Sequence, residues 1–227
     1  MKLLAIDSAG DSSSIALIYE DEILFFSQSH QRKEKPNWNK LLSCVGINSK
    51  IKISEIDCFA FGRGPGSYTG IRSLASFMKG LSWSQKKPLI AISNLKSAAL
   101  NAQLSLKEQA FKTINVALKS DLDEVYFSQY MLNDGHLDDE GDEKIMPYDS
   151  LAEPKLLSNP SAIYVGDGWD DERINISDNK SYFNIDSNAN FIAQLAKLEF
   201  SSSKEFSPED ANPVYLKETN YKKIANE

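Results

Sequence analysis

The chain is poor in the residues that most often carry covalent and metal chemistry, with two cysteines and two histidines among 227 residues. Cys44 and Cys58 stand in apolar surroundings without paired spacing, which excludes a disulfide framework or a zinc ribbon and leaves two core thiols in a reducing compartment. His30 and His136 lie far apart without clustered partners, whereas a helical metal site needs histidines about three to five residues apart, so no metal is expected. Long apolar runs are also missing. Met1-Lys2-Leu3-Leu4-Ala5-Ile6-Asp7 meets a carboxylate too early for a signal-peptide apolar region, and no segment approaches the length of a bilayer span, so a cytoplasmic protein without membrane contact is expected. Positive charge is in deficit, 25 lysines and arginines against 32 acids, for a net charge of −7. A phosphate backbone would be repelled, which excludes an autonomous nucleic-acid binder, and any RNA would have to be held by another protein.

What is present suffices for one sizeable core or two modest ones, since 41% of the residues are apolar. Strand-like runs at Leu3 to Asp7, Ser14 to Tyr19 and Glu22 to Ser27 are joined by turns so short that the strands must pair antiparallel. Pro36 opens an amphipathic helix with Trp38, Leu41, Leu42 and Val45 on its apolar stripe. A buried strand at 56 to 61, a helix from about 71 to 84, a short strand from Pro88 to Ile92 and a helix capped by Ser93 or Asn94 follow. The order β-β-β-α-β-α-β-α gives a mixed sheet, an antiparallel meander feeding parallel crossovers. From about residue 109 a smaller second lobe is expected, with strands at Thr113 to Lys119, Val125 to Leu132, Lys144 to Pro147 and Ala162 to Val165 and a helix from Asn190 to Phe200. The acidic run from Asp134 to Glu143 reads as a solvated hairpin loop, lacking the EF-hand's ligand positions. Tyr215 and Leu216 are candidate anchors of the C-terminus, and Lys217 to Glu227 reads as a polar tail. No internal repeat is visible.

The segment Gly62-Arg63-Gly64-Pro65-Gly66-Ser67-Tyr68-Thr69-Gly70-Ile71-Arg72 joins a strand's end to a helix's start, where open α/β sheets bind ligands and glycines let backbone N–H groups approach closely. It is not a P-loop, because no lysine stands where the motif needs one. The dinucleotide pattern fails because Ser67 or Thr69 occupies the third glycine position. Ser67 is not on a nucleophile elbow, since Pro65 and Thr69 replace its flanking glycines. Asp7, at the end of the first strand, is the best isolated carboxylate, a candidate contact for a nucleotide or cation and equally a strand-end cap. A loop fit for binding without a convincing nucleophile, base or metal set suits a binding partner better than an enzyme.

The run Gly64-Pro65-Gly66-Ser67-Tyr68-Thr69-Gly70-Ile71-Arg72 closely resembles the signature of the TsaB/YeaZ family, the bacterial accessory subunits of tRNA threonylcarbamoyladenosine (t6A) biosynthesis. Leu4-Ala5-Ile6-Asp7-Ser8, Ile92-Ser93-Asn94-Leu95, Val165-Gly166-Asp167-Gly168 and Pro213-Val214-Tyr215-Leu216 support it, so the resemblance covers both halves of the chain. It implies an α/β fold of two lobes, a reduced actin, sugar-kinase and Hsp70 (ASKHA) architecture on ribonuclease H-like motifs with mixed sheets, here 1–108 and 109–227. It also implies a non-catalytic subunit, without a cofactor of its own, that pairs with a homologous metal-dependent transferase, TsaD. With a small ATPase, TsaE, that pair supports threonylcarbamoyl transfer to the adenosine beside the anticodon. ATP or ADP would sit at the complex interface, and tRNA would be reached only through the complex. The catalytic homologue carries paired histidines on a helix of its first lobe, and this chain has none.

The pairing surface implied by the family is the two helices of the first lobe. Here Ser73, Ser76 and Gly80 form a small-residue stripe that would let another helix approach, and Trp38, Leu41, Leu42, Val45 and Phe77 would complete a helical-bundle interface, in a heterodimer or a homodimer. Asn37-Trp38 replaces a His-Ser common in the family. A competing reading is an autonomous phosphotransferase or ATPase of the same fold using Asp7 and the glycine loop. A metallopeptidase, the third reading, is opposed by the missing histidine pair.

Overall fold

A computed structural model of the chain describes residues 1–20, 22–29, 36–107, 110–120, 123–139, 143–174, 176, 181–201 and 205–216. The first half runs β1 (Leu3–Asp7), β2 (Ser12–Tyr19), β3 (Glu22–Ser29), α1 (Trp38–Cys44), β4 (Cys58–Gly62), α2 (Tyr68–Gln85), β5 (Leu89–Ile92) and α3 (Asn94–Ser105). The second runs β6 (Thr113–Lys119), β7 (Glu124–Asn133), β8 (His136–Asp139), β9 (Lys144–Pro147), the short helices α4 (Tyr148–Leu151) and α5 (Pro154–Leu157), β10 (Ala162–Val165), β11 (Tyr182–Phe183) and α6 (Ala189–Phe200). The first sheet has the order β3-β2-β1-β4-β5, antiparallel on the meander side and parallel from β1 to β5. In the second, β8-β7-β6-β10-β11 repeats that order and those directions, with β9 as an additional partner of β7. The two sheets are therefore the same motif twice, the mixed two-lobed α/β arrangement the sequence suggested, although no sequence repeat betrays it.

The central strands of both sheets are covered on both faces. Leu4, Ile6, Phe59 and Phe61 pack beneath α1 and α2, while Leu3, Ala5, Cys58 and Ala60 on the opposite face meet Ala189, Ile192, Ala193 and Ala196 of α6. Conversely Leu95, Ala98, Ala99 and Ala102 of α3 pack on Ile114, Val116, Ile163 and Val165 of the second sheet. Each motif's closing helix thus covers the other motif's sheet, and α6, expected within 109–227 as part of the second lobe, lies on the first. Its alanine-rich face allows that close approach to a sheet surface carrying small side chains. No helix among the described residues is long and apolar enough to cross a membrane.

Several boundaries differ from expectation for local reasons. Asn37, not Pro36, sets the start of α1, its side chain accepting the N–H of Lys40 at 3.0 Å. α2 begins at Tyr68 because Ser67 caps it by accepting the N–H of Gly70, so Tyr68, Thr69 and Gly70 form its first turn instead of loop. The acidic run is partly strand: the chain reverses at Asp134 and Gly135, both at positive φ, and β8 returns along β7 with Leu137 packed inward. His30, Gln31 to Lys35 and the tail Lys217 to Glu227 lie outside the described residues.

Candidate functional site

The glycine loop is a junction of four segments. Arg63 N–H donates to the Ile92 carbonyl at 2.8 Å, Gly64 N–H to Asn94 Oδ1 at 2.8 Å, and Ser67 N–H to the Ala9 carbonyl at 2.7 Å. In return the Gly64 carbonyl accepts from Asn94 N–H at 3.0 Å and the Arg63 carbonyl from Val214 N–H at 2.9 Å. A Cβ at Gly64, whose φ is +102°, would press on Ile71 and the Val214 carbonyl, and one at Gly70 would fall onto the Ser8 carbonyl. The glycines therefore admit neighbouring backbone. The amides of Arg63, Gly64 and Ser67 already have protein partners, unlike those of a phosphate cradle, which must point at their ligand.

Asp7 is the buried centre of this junction. Its Oδ1 accepts from Asn94 Nδ2 at 2.9 Å and from Ala9 N–H at 3.2 Å, and its Oδ2 accepts from Ser187 Oγ at 3.1 Å. Burial pushes its carboxyl above the ordinary range, opposed by those hydrogen bonds. Beside it opens a cleft of about 840 Å³ between the lobes, lined by the glycine loop, the β1–β2 turn, Lys119 at the end of β6 and Ser120 after it, and the acids Asp7, Asp11, Asp167 and Asp186. Asp186 is also pushed up, first by burial and then by Asp167, Asp7 and Asp11. Four carboxylates facing one lysine repel a polyphosphate unless cations intervene. Among the described residues no group of three or more His, Cys, Asp or Glu is placed to hold a metal ion. His136 is remote from Asp7, on β8. Arg63 reaches Glu143, ahead of β9, at 3.3 Å and so ties the loop to the second lobe.

The helices implied as a partner surface divide into two sets. Leu41 (3% exposed) and Val45 (1% exposed) belong to the core beneath the first sheet, so these two predicted interface residues are corrected to packing residues. Leu42, Trp38 and Phe77 are half-buried, and Trp38 stacks on Phe77 with ring centroids 5.2 Å apart. Ser73, Ser76 and Gly80 are exposed on α2, and a Cβ at Gly80 would meet nothing within 4 Å. Trp83, which the sequence reading did not single out, is 62% exposed on the same helix. Asn94 and Ser187 were also missed as site residues, although the Ile92-Ser93-Asn94 run had pointed at the first.

A family model described as "TsaD: tRNA N6-adenosine threonylcarbamoyltransferase" matches residues 25–184. The tRNA threonylcarbamoyladenosine biosynthesis protein TsaB of Haemophilus influenzae is 30% identical over 99% of this chain and 97% of its own length. The chain belongs to the TsaB family. The Escherichia coli TsaB is 24% identical over 96% of this chain and 95% of its own. YeaZ from Pseudomonas aeruginosa superimposes with a TM-score of 0.78 at 28% identity, covering 95% of this chain and 99% of that one. Another P. aeruginosa structure, named for its similarity to peptidase YeaZ, reaches 0.83 at 27% identity with the same coverage. A tRNA N6-adenosine threonylcarbamoyltransferase of Rickettsia canadensis is 33% identical over 46% of this chain and 35% of its own length.

The TsaB-like motifs, scattered in sequence, converge in space. Asp7-Ser8, the glycine run, Asn94 and Val214 meet at the junction around Asp7. Asp167 of the Gly166-Asp167-Gly168 run lines the cleft opposite them and accepts Lys119 N–H at 2.8 Å. In this TsaB-family chain these residues thus meet at the seam between the lobes.

Proposed function

We propose that the chain is the accessory subunit of a t6A-forming complex, without catalytic activity of its own, and that it pairs through α2 with the histidine-bearing homologue TsaD. The observation that carries this reading is the open outer face of α2, with Ser73, Ser76 and Gly80 available to a second helix and Trp83 projecting beside them. The similarity to TsaB proteins along the whole chain supports a place in t6A biosynthesis, and with it TsaD and the ATPase TsaE as partners. A net charge of −7 supports contact with tRNA through the complex instead of by this chain alone. The autonomous ATPase reading finds a cleft but not the charge to fill it: the amides of Arg63, Gly64 and Ser67 are engaged and four aspartates line the space. Any ATP or ADP belongs to the complex.

The test is to mix the purified chain with TsaD from the same organism. Co-elution as a stable pair, with no ATP turnover by the chain alone, is expected. Gly80→Leu should abolish co-elution while leaving the circular dichroism spectrum unchanged. Separate elution of the wild-type proteins, or saturable ATP hydrolysis by the chain that Asp7→Ala removes, would overturn the reading.

A further inference from the structure

The charge of the chain is divided along its length. Residues 36–119 hold 12 lysines and arginines against three carboxylates, Glu55, Asp57 and Glu108, a local charge of +9 in a chain whose total is −7. The remaining residues therefore carry −16, and the net value hides a basic region in the first half. Part of it gathers where the parallel strands β4 and β5 begin, at the end of the first sheet away from the glycine loop. Phe59 N–H donates to the Pro88 carbonyl at 3.0 Å, so the two segments that lead into these strands lie next to one another where they enter the sheet. Lys50 and Lys52 come from the first and Lys86 and Lys87 from the second; all are exposed except Lys87, which is half-buried. The two acids of this rim are turned to Lys2: Glu55 pairs with its Nζ at 2.9 Å, and Asp57 accepts its backbone N–H at 2.8 Å. Asn48, Ser49 and Ser84 are exposed beside the lysines.

A protein partner and a nucleic acid ask different things of such a rim. A protein interface has an apolar centre depleted of lysine, whereas phosphates are met by lysines and by Ser, Asn and Gln side chains, which is the composition found here. The exposed Trp83 lies on the same side of α2 as Ser76, seven residues back, and belongs to the face read as pairing. Lys86 and Lys87 also complement the C-terminal end of the α2 dipole. That role does not extend to Lys50 and Lys52 on a separate segment, nor does it call for a lysine at the cap, where Lys86 stands at φ +53°, a conformation that favours glycine. We infer that the rim of Lys52, Lys86 and Lys87 is a contact for the phosphate backbone of tRNA within the complex. This rests on the accessory-subunit reading and gives the RNA surface of the complex a share on this chain. Lys86 lies about 9 Å along the helix axis beyond Gly80, so pairing over Ser73, Ser76 and Gly80 need not cover the rim. The −16 carried by the rest of the chain opposes RNA binding by the chain alone, so the contact belongs to the complex.

The test titrates labelled tRNA with the purified pair of this chain and TsaD over a series of salt concentrations. Three forms of the chain are compared: the parent, a rim variant with Lys52→Gln, Lys86→Gln and Lys87→Gln, and a control that removes equal charge from exposed lysines elsewhere, with Lys107→Gln, Lys112→Gln and Lys155→Gln. The rim variant should bind tRNA at least tenfold more weakly, and its slope of log affinity against log salt should be shallower by about two to three. Its co-elution with TsaD and its melting temperature should match the parent's, and the control should bind tRNA nearly like the parent. Unchanged affinity and slope in the rim variant, an equal loss in the control, or no retention of tRNA by the parent pair would each overturn the rim assignment while the accessory reading stands. Loss of TsaD pairing in the rim variant would make the rim a protein contact and overturn the assignment as well. Failure of the parent chain to pair with TsaD would overturn the accessory reading and the assignment with it.

Discussion

Asp7 shows how one carboxylate can look catalytic and serve as a fastener. It joins the end of β1 to the start of α3 through Asn94 and to the approach of α6 through Ser187, residues 87 and 180 positions away in sequence. Its folded-state proton affinity is raised, chiefly by burial. An acid so shifted contributes stability that is fully present below the ordinary carboxylate pKa of about 4 and is lost as pH rises through the higher folded value. Asp186 shifts the same way, so stability should fall from mildly acidic towards neutral pH. Asp7→Asn keeps an acceptor for Asn94 and Ala9 and removes the titration, so thermal melts between pH 4 and 7 should show a flatter profile and no loss at pH 7. Asp7→Ala leaves those buried donors without an acceptor and should cost about 1–3 kcal/mol. An Asn variant as damaged as the Ala variant would contradict the fastening role. Neither Asn94 nor Ser187 was legible as Asp7's partner, because their roles arise only when distant segments meet.

At the scale of elements, α2 contains two glycines with opposite meanings. Gly70 lies against the Ser8 carbonyl, so Gly70→Ala forces the β1–β2 turn away and should destabilise by about 1–3 kcal/mol. Gly80 faces open space, so Gly80→Ala should stabilise by about 0.5–1 kcal/mol in urea unfolding, since glycine is costly inside a helix. On α1, Leu41→Ala should cost about 2–5 kcal/mol as a core deletion. The apolar stripe of α1 was plain in the sequence, but a stripe does not say whether its own sheet or another chain covers it, and the first sheet claims Leu41 and Val45. The strands of the first sheet were legible as apolar runs between turns. β8 was not, because in His136-Leu137-Asp138-Asp139 a single leucine signals the inward face.

Across the whole molecule, the exchange of α3 and α6 makes the lobes interdependent. Removing either helix would bare a sheet of the opposite lobe, so thermal unfolding should be one cooperative transition with matching calorimetric and van't Hoff enthalpies. Two separated transitions would mean the lobes fold independently. Two lobes were legible from element order, but not the exchange, because small alanine-rich faces carry no mark of which sheet they meet. In that fused frame the outer face of α2 is exposed, and the glycine loop is bonded to Ala9, Ile92, Asn94 and Val214. The most direct test is reconstituted t6A formation on tRNA with TsaD, TsaE, ATP and threonylcarbamoyl donor, with and without this chain. Transfer should require TsaD, rise strongly on adding the chain and fail to rise with its Gly80→Leu variant. Transfer by the chain without TsaD, or full support from the Gly80→Leu variant, would contradict the account.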